Sequence, residues 1–567
     1  MAYTLGIDFG TLSGRTLLVD VADGREVTSA TFDYPHGVID ETLPSSGERL
    51  PPEWALQNPL DYLEVVKQTV PKVLQRSGVS AREVVGVGIA FTSCTVLPTQ
   101  TDGTPLMTLD AWKRHPHAWV KLWKHHAAQP QADRINRVAA ERGEPWLKRY
   151  GGKYSSEWLF SKALQMLDEA PELYKAADRL LEAADWLVWQ LTGVETRNAC
   201  TAGYKAVVQD GDYPSKEYFG ALHPDFANIV DEKLSREFAQ LGAKAGGLSA
   251  HWAELTGLKE GTTVAVANVD AHVTAPAVKA TAPGVMVMIM GTSTCHVVSD
   301  SELRDVEGMC GVVEGGVVPG LYGYEAGQSS VGDIFAWFVE HAVPQSYYDA
   351  ANAASADIHA YLEQEAAKQK VGEHGLVALD WWNGNRSTLV DTELSGLIIG
   401  LSLATRAPDI YRALLEATAY GTRTIIEAFE RKGVKVRALV AAGGLPEKNR
   451  LLCQIYADVT GRPLKLAGSA QAPALGAAMH AAVAAGVFDD IGAAAETVGK
   501  LKNETVTPIP ENQAVYEQLY NVYKRLYDYF GRGENKAMKT LKGVRREARA
   551  QTQPNTEAAH SAAEKRL

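Results

Sequence analysis

YTLGIDFGTLSGRTLLVDV, from Tyr3 to Val21, and VMVMIMGTSTCHVVSD, from Val285 to Asp300, decide the reading of this chain. Each has an apolar strand, a turn that opens with Gly-Thr and continues in small hydroxyl residues, and then a second strand. In the first stretch a further turn at Asp23-Gly24 leads into REVTSATFDY, a predicted third strand ending at Tyr34. Aligning Gly10-Thr11 with Gly291-Thr292 sets equivalent turns about 280 residues apart, which indicates two copies of one domain design. The copies differ where chemistry demands it: Asp8 stands two residues before the first glycine, Ile289 two residues before the second. Pro283-Gly284, which interrupts regular structure, marks the boundary.

A chain of 567 residues exceeds one ordinary core, so two sizeable domains are expected. With 46% apolar and 22% charged residues the composition is that of a globular protein. A formal charge of -12 argues against a nucleic-acid partner, because phosphate affinity needs a clustered positive field. The five cysteines, Cys94, Cys200, Cys295, Cys310 and Cys453, form no C-x-x-C pair, which suggests neither a disulfide framework nor zinc and fits a reducing cytoplasmic setting. No export signal and no membrane partner are expected, since no uncharged apolar run approaches the roughly 18 residues of a span.

Further along, VRALVAAGG (Val436–Gly444) reads as a buried strand entering a glycine pair, with a helical pattern from Glu447 to Thr460 that stops at Gly461. Helices are predicted from about Ala407 to Lys432, capped by Gly433, and from about Ala472 to Ala485. The expected division is 1–280, 284–490, a helical segment 491–530, and a flexible polar tail 531–567, parts of which could form an exposed helix.

Neither a P-loop nor a full G-x-G-x-x-G after a strand is present, so a nucleotide site has to be built differently. The two Gly-Thr hairpins offer a way: Gly10, Thr11 and Ser13 on one side, Gly291 and Thr292 on the other, with backbone N–H groups and hydroxyls donating to a polyphosphate. Asp8, at the strand end beside that grip, is a candidate to hold the waters of Mg²⁺, and Arg15 to meet a phosphate oxygen. The alternative is a plain turn in which Asp8 accepts backbone hydrogen bonds. TTVAVANVDAH (Thr262–His272) ends in a carboxylate, Asp270, placed either to take a proton from a hydroxyl or to cap the following helix. His272 orients that carboxylate or packs, the latter being favoured. Lys205 and Glu325, charged residues in small and apolar company, are either a pair or ligands for a polar substrate. In LDWWNGNRS the tryptophans read as core, while Asn383, Asn385 and Arg386 cluster polar donors beside Gly384.

These residues together resemble the FGGY-type sugar-kinase family, over Tyr3 to about Ala485. GLIIGLSLATRAPDIYRALLE (Gly396–Glu416) is similar to the family's C-terminal signature, with Leu414 a mild departure; the other signature fits less well, Gln165 standing where a tryptophan is usual if Lys162 is its lysine. FTSCTVLP, DAWKRHPHAW with LWKHHAAQ, YSSEW, NVDAH, EAGQSS and DWWNGNRS resemble the ribulokinase branch. The resemblance implies an α/β fold of two actin-like, ribonuclease H-like ATPase domains, each a mixed five-stranded sheet flanked by helices, with a cleft between them. It implies transfer of the γ-phosphoryl of MgATP to the 5-hydroxyl of L-ribulose, related ketopentoses being further candidates. By the same resemblance Asp270 is the general base, Asp8 is associated with magnesium, and Thr11, Ser13, Arg15, Gly291 and Thr292 hold phosphate. Gly443, Gly444 and Asn449 lie beside the adenosine, and Thr92, Ser93, Lys205 and Glu325 line the sugar pocket. A kinase for xylulose or ribitol and a non-metabolic actin-like ATPase are the alternatives, and a homodimer stays open.

Overall fold

The computed structural model describes residues 2–552. Strands β1 (Tyr3–Phe9), β2 (Ser13–Asp20) and β3 (Glu26–Asp33) form an antiparallel meander, as their alternating apolar residues dictate. Helix α1 (Pro59–Ser77) starts on Asn58, whose side chain accepts from Leu60 N, and ends at left-handed Gly78. It returns the chain to β4 (Val84–Phe91), parallel to β1. After a long insertion, β5 (Lys244–Gly247), β6 (Thr263–Ala265) and β7 (Asn268–Val269) complete the sheet, ordered β3-β2-β1-β4-β6-β5 with β7 also on β4. Helix α2 (Asp270–Ala277) follows at once.

The second sheet repeats the plan. Strands β8 (Val285–Met290), β9 (Thr294–Asp300), β10 (Gly311–Glu314) and β11 (Tyr322–Gln328) precede helix α3 (Ala407–Arg431). Then come β12 (Ala438–Ala442), α4 (Arg450–Thr460), β13 (Leu464–Ala467), α5 (Ala472–Ala484) and β14 (Leu501–Val506). The order is β10-β11-β9-β8-β12-β13-β14. Five strands of each sheet, β3-β2-β1-β4-β6 and β11-β9-β8-β12-β13, match as the duplicated turns predict. Each sheet has seven strands and not the expected five, because short segments such as KAGG (β5) and LKNETV (β14) pair at the edges without an apolar pattern to announce them.

Helix α5 belongs to the second half in sequence but packs on the first sheet. A Cβ at Gly6 of β1 would lie 1.8 Å from Ala474 O, and one at Gly88 of β4 would lie 2.0 Å from Ala477 O. Bare glycine backbone is what admits the helix so closely. In turn Gly476 of α5 abuts α2, where a Cβ would meet Val273 O at 1.9 Å. The insertion between β4 and β5 builds a lobe with its own core, including Trp119, Trp146, Tyr154, Phe160 and Phe219.

Two C-terminal helices finish the described chain. Along α6 (Pro510–Gly531), Tyr516, Tyr520, Tyr523 and Tyr527 are buried at helical spacing against the second core. The segment expected to be a flexible tail is, over Ala537–Thr552, helix α7, its basic face tied to acidic residues of a distant loop. Residues 553–567 of that expected tail lie outside the described residues.

Candidate active site

Strands β1, β4 and β7 lie side by side and end in register, Phe9 opposite Phe91 and Phe91 opposite Val269. The residues that follow, Gly10, Thr92 and Asp270, therefore form one rim. In the second half β8 and β12 run parallel with Ile289 opposite Ala442, so Gly291 and Gly443 leave adjacent strand ends. A Cβ at Gly443, whose φ is +100°, would fall 2.4 Å from Met290 O.

The hairpins are closed alike: Gly10 N donates to Ser13 O at 3.0 Å and Gly291 N to Ser293 O at 2.9 Å. At Gly10 a Cβ would meet only Ser13 O, at 3.4 Å; at Gly291 only Ser293 O, at 4.0 Å; at Gly444 nothing within 4 Å. Bare backbone thus faces open space at three turns, which fits a phosphate cradle. Thr11 is braced from both ends, Gln57 Nε2 donating to its carbonyl at 2.7 Å and Trp123 Nε1 to its hydroxyl at 3.1 Å. The Thr292 carbonyl accepts from Val331 N at 2.8 Å. Asn449 caps α4, its side chain accepting from Leu452 N at 2.7 Å. With Gly443 and Gly444 it makes a group beside the second hairpin.

Asp8 sits opposite Arg15 in the β1–β2 ladder, and the Arg15 Nε donates to Thr31 Oγ1 at 3.2 Å. Burial pushes the Asp8 carboxyl up to about 6, with Arg15 working against it. Asp270 is the first residue of α2 and not its cap; the cap position is Val269. Its Oδ1 accepts from Ala271 N at 2.6 Å. Burial first, and the charge of Asp8 second, push Asp270 up to about 7. Two half-buried carboxylates that repel each other, Asp8 offset in part by Arg15 and Asp270 in part by Lys205, form a set that a cation would relieve. Among the described residues no group of three or more His, Cys, Asp or Glu makes a metal cage. The fit is therefore to Mg²⁺, which takes one or two carboxylates and keeps its waters and phosphate oxygens, and not to an all-protein site.

Lys205 and Glu325 come together as a pair, Nζ to Oε2 at 3.0 Å and to Oε1 at 3.3 Å. Burial is the largest influence on Lys205 and opposes its charge, but Glu325 together with neighbouring Cys94 and Cys310 more than offsets it and the pKa rises. For Glu325 burial is likewise opposed by Lys205, His272 and Arg386, and the carboxyl is held below the usual range. Asp270 feels both groups, Glu325 raising its pKa and Lys205 lowering it. His272 neither orients Asp270 nor merely packs. Its Nε2 lies 3.1 Å from Glu325 Oε2, and its Nδ1 3.1 Å from Cys200 Sγ. Thr92 N donates to Phe9 O at 3.3 Å and its hydroxyl meets that of Thr95 at 3.0 Å, while the Ser93 hydroxyl accepts from Cys94 Sγ at 3.8 Å.

Three residues outside the predicted set belong here. Arg386 Nη2 lies 3.7 Å from both Glu157 Oε2 and Glu325 Oε1, and Glu157 Oε1 meets His126 Nε2 at 3.0 Å. Their signal was present in YSSEW, LWKHHAAQ and DWWNGNRS, strings whose charges find partners only in the folded chain. Gln165, the odd residue of the weaker signature, is buried with Oε1 2.9 Å from His125 Nε2, a hydrogen bond that tryptophan at this position could not accept.

The geometry finds its counterpart in sequence comparison. Residues 3–276 match the N-terminal domain and residues 286–485 the C-terminal domain of the FGGY family of carbohydrate kinases. The chain belongs to the FGGY family of carbohydrate kinases. Among FGGY relatives, the ribulokinase of Geobacillus thermodenitrificans is 56% identical over 554 residues, 97% of this chain and 98% of that protein. The ribulokinase of Mycolicibacterium smegmatis is 55% identical over 547 residues, 96% of this chain and 97% of its own. Of solved structures, ligand-bound xylulose kinase from Lactobacillus acidophilus shares the fold at a TM-score of 0.77, with 17% identity, covering 93% of this chain and 98% of that one. As an FGGY kinase this is an ATP-dependent enzyme acting on a small sugar.

Proposed function

We propose that the chain is a ribulokinase that phosphorylates the 5-hydroxyl of L-ribulose in L-arabinose breakdown, in the cytosol, with Mg²⁺ accompanying ATP. The observation that carries the phosphoryl-transfer chemistry is Asp270 on the rim between Asp8 and the Lys205–Glu325 pair. The sugar follows from full-length relatives bearing the name ribulokinase. In the described residues no helix is long and apolar enough to cross a membrane.

The mechanism uses each group at its place. Gly10, Thr11, Ser13 and Arg15 on one side, and Gly291 and Thr292 on the other, hold the triphosphate by backbone N–H groups, hydroxyls and one guanidinium. Gly443 lets the turn close on Met290, Gly444 leaves the nucleoside a close approach, and Asn449 fixes the start of α4 next to it. Asp8 would hold Mg²⁺ through its waters, and when bound the ion would neutralise charge on the phosphates. Thr92, Ser93, Lys205 and Glu325 orient the sugar. Asp270 takes the proton of the hydroxyl as its oxygen forms a bond to the γ-phosphorus and the bond to the β-phosphate oxygen breaks, releasing ADP. Positioning and exclusion of water supply most of the rate, because water is a competing nucleophile.

ADP release measured against a panel of pentoses, pentuloses and polyols tests this reading. L-Ribulose is expected to give the highest kcat/KM; a xylulose or ribitol preference overturns the sugar, and sugar-independent ADP release overturns the kinase.

A further inference from the structure

Arg386 stands on a loop, 385–393, that closes on itself. Asn385 and Asp391 exchange backbone hydrogen bonds of 2.9 and 2.8 Å, and Asn385 Oδ1 accepts from Leu389 N at 2.9 Å. On its inner side the loop lies against β11, where a Cβ at Gly327 would fall 2.9 Å from Arg386 Cδ and where Gly327 N donates to Ser387 Oγ at 3.2 Å. On its outer side it is held from three directions. Lys153 Nζ, from the first half of the chain, donates to Val390 O at 2.6 Å. Tyr527 of α6 shares a hydrogen bond of 2.7 Å with the Thr388 hydroxyl. Helix α7 supplies the rest: Lys539 Nζ lies 2.5 Å from Asp391 Oδ2, Lys542 Nζ donates to Thr392 O at 2.6 Å, and Arg546 Nη2 lies 3.0 Å from Glu393 Oε2.

We propose that α7 is a positioning element for the acceptor sugar: Lys539, Lys542 and Arg546 hold the 385–393 loop so that Arg386 stays between Glu157 and Glu325, with N–H donors free for a sugar oxygen. This deepens the sugar-kinase reading and rests on it. At 3.7 Å from each carboxylate the guanidinium is attracted to both yet hydrogen-bonded to neither. A planar group with five donors in that situation has capacity for a third oxygen. The three ties of α7 are exposed, and each alone is weak. Acting on three consecutive residues, and seated by buried Met538, they fix one loop jointly. The helix lies beyond residue 485, where the FGGY C-terminal match ends, while the ribulokinase of Geobacillus thermodenitrificans aligns over 97% of the chain.

The full-length chain carrying Lys539→Ala, Lys542→Ala and Arg546→Ala together tests the proposal, beside a charge-preserving version with Lys539→Arg, Lys542→Arg and Arg546→Lys. Amide hydrogen exchange of residues 385–393 reads the tether without any substrate. Exchange is expected to rise about tenfold in the alanine version and to stay at the wild-type rate in the charge-preserving one. KM for the sugar is expected to rise about tenfold, with kcat and the KM for ATP within about twofold, since a displaced positioning group weakens sugar binding alone. Unchanged exchange or an unchanged sugar KM overturns the proposal, as does a uniform fall in kcat with both substrates. A wild-type chain that phosphorylates no sugar sinks the functional reading instead, and the exchange measurement still decides whether α7 holds the loop.

Discussion

Lys205 and Glu325, residues from the two halves of the chain, meet 3.0 Å apart with side chains only 2% and 6% exposed. Glu325 has further partners in His272 and Arg386, whereas the Lys205 ammonium has, beyond Glu325, the rings of Trp158 and Tyr204 at 5.4 and 5.6 Å. Glu325→Gln therefore strands a buried charge and is expected to cost about 3–5 kcal/mol, more than Lys205→Met does. The double variant Lys205→Met with Glu325→Leu should recover part of that loss. Urea midpoints of the three variants check the order; a double variant whose loss is the sum of the single losses would show that the pair is not coupled.

Asp270→Asn is expected to lower kcat by about 10²–10⁴-fold with ATP affinity nearly unchanged, because the residue touches the hydroxyl proton and not the nucleotide. ADP release and nucleotide titration measure the two separately. Substantial residual kinase activity would remove Asp270 from the role of base.

A base must be ionised, and Asp270 sits at about 7. Activity as kcat/KM is expected to drop about tenfold per pH unit below that value. Asp8 raises it, so Asp8→Asn should move the inflection to lower pH. A profile whose inflection ignores Asp8→Asn would separate the two carboxylates.

The same two groups weaken the fold at high pH. Folded values of about 6 for Asp8 and about 7 for Asp270 exceed the unfolded carboxyl range near 4, so the folded chain holds the extra protons between those limits. Their contribution is complete below about pH 4 and is lost as the pH rises through about 7. Asp8→Asn and Asp270→Asn are each expected to raise the melting temperature of the ligand-free chain at pH 8 by several degrees, and to leave it unchanged near pH 4. Equal melting shifts at both pH values would contradict the assignment.

Gly88→Ala places a methyl carbon 2.0 Å from the Ala477 carbonyl, a backbone atom that cannot rotate away. Overpacking of this kind is expected to cost about 1–3 kcal/mol or more. The check is the urea midpoint; a neutral result would mean that α5 lifts off the sheet without loss.

Much of this arrangement was legible in the residues alone. The hairpins at Gly10 and Gly291 could be read because turn chemistry is local, and Asp8 and Asp270 because each ends an apolar strand. Arg386 stood out as a polar donor beside Gly384, but its partner Glu157, more than two hundred residues away, and the His126 that Glu157 meets leave no periodic trace. The same holds for α7: Lys539 and Arg546 read as a solvated charge run until Asp391 and Glu393 are beside them. The edge strands β5 and β14 are recognised only by the neighbours they pair with.

Helix α5 has a consequence for how the molecule arose. Its backbone is seated on Gly6 and Gly88 and against α2 at Gly476, so a gene cut after Gly284 would leave the earlier half with a bare sheet face. The two duplicated units have exchanged a wall and can no longer be inherited separately. The seam between α5 and α2 ties the halves together, and Asp270, which begins α2, stands at its end.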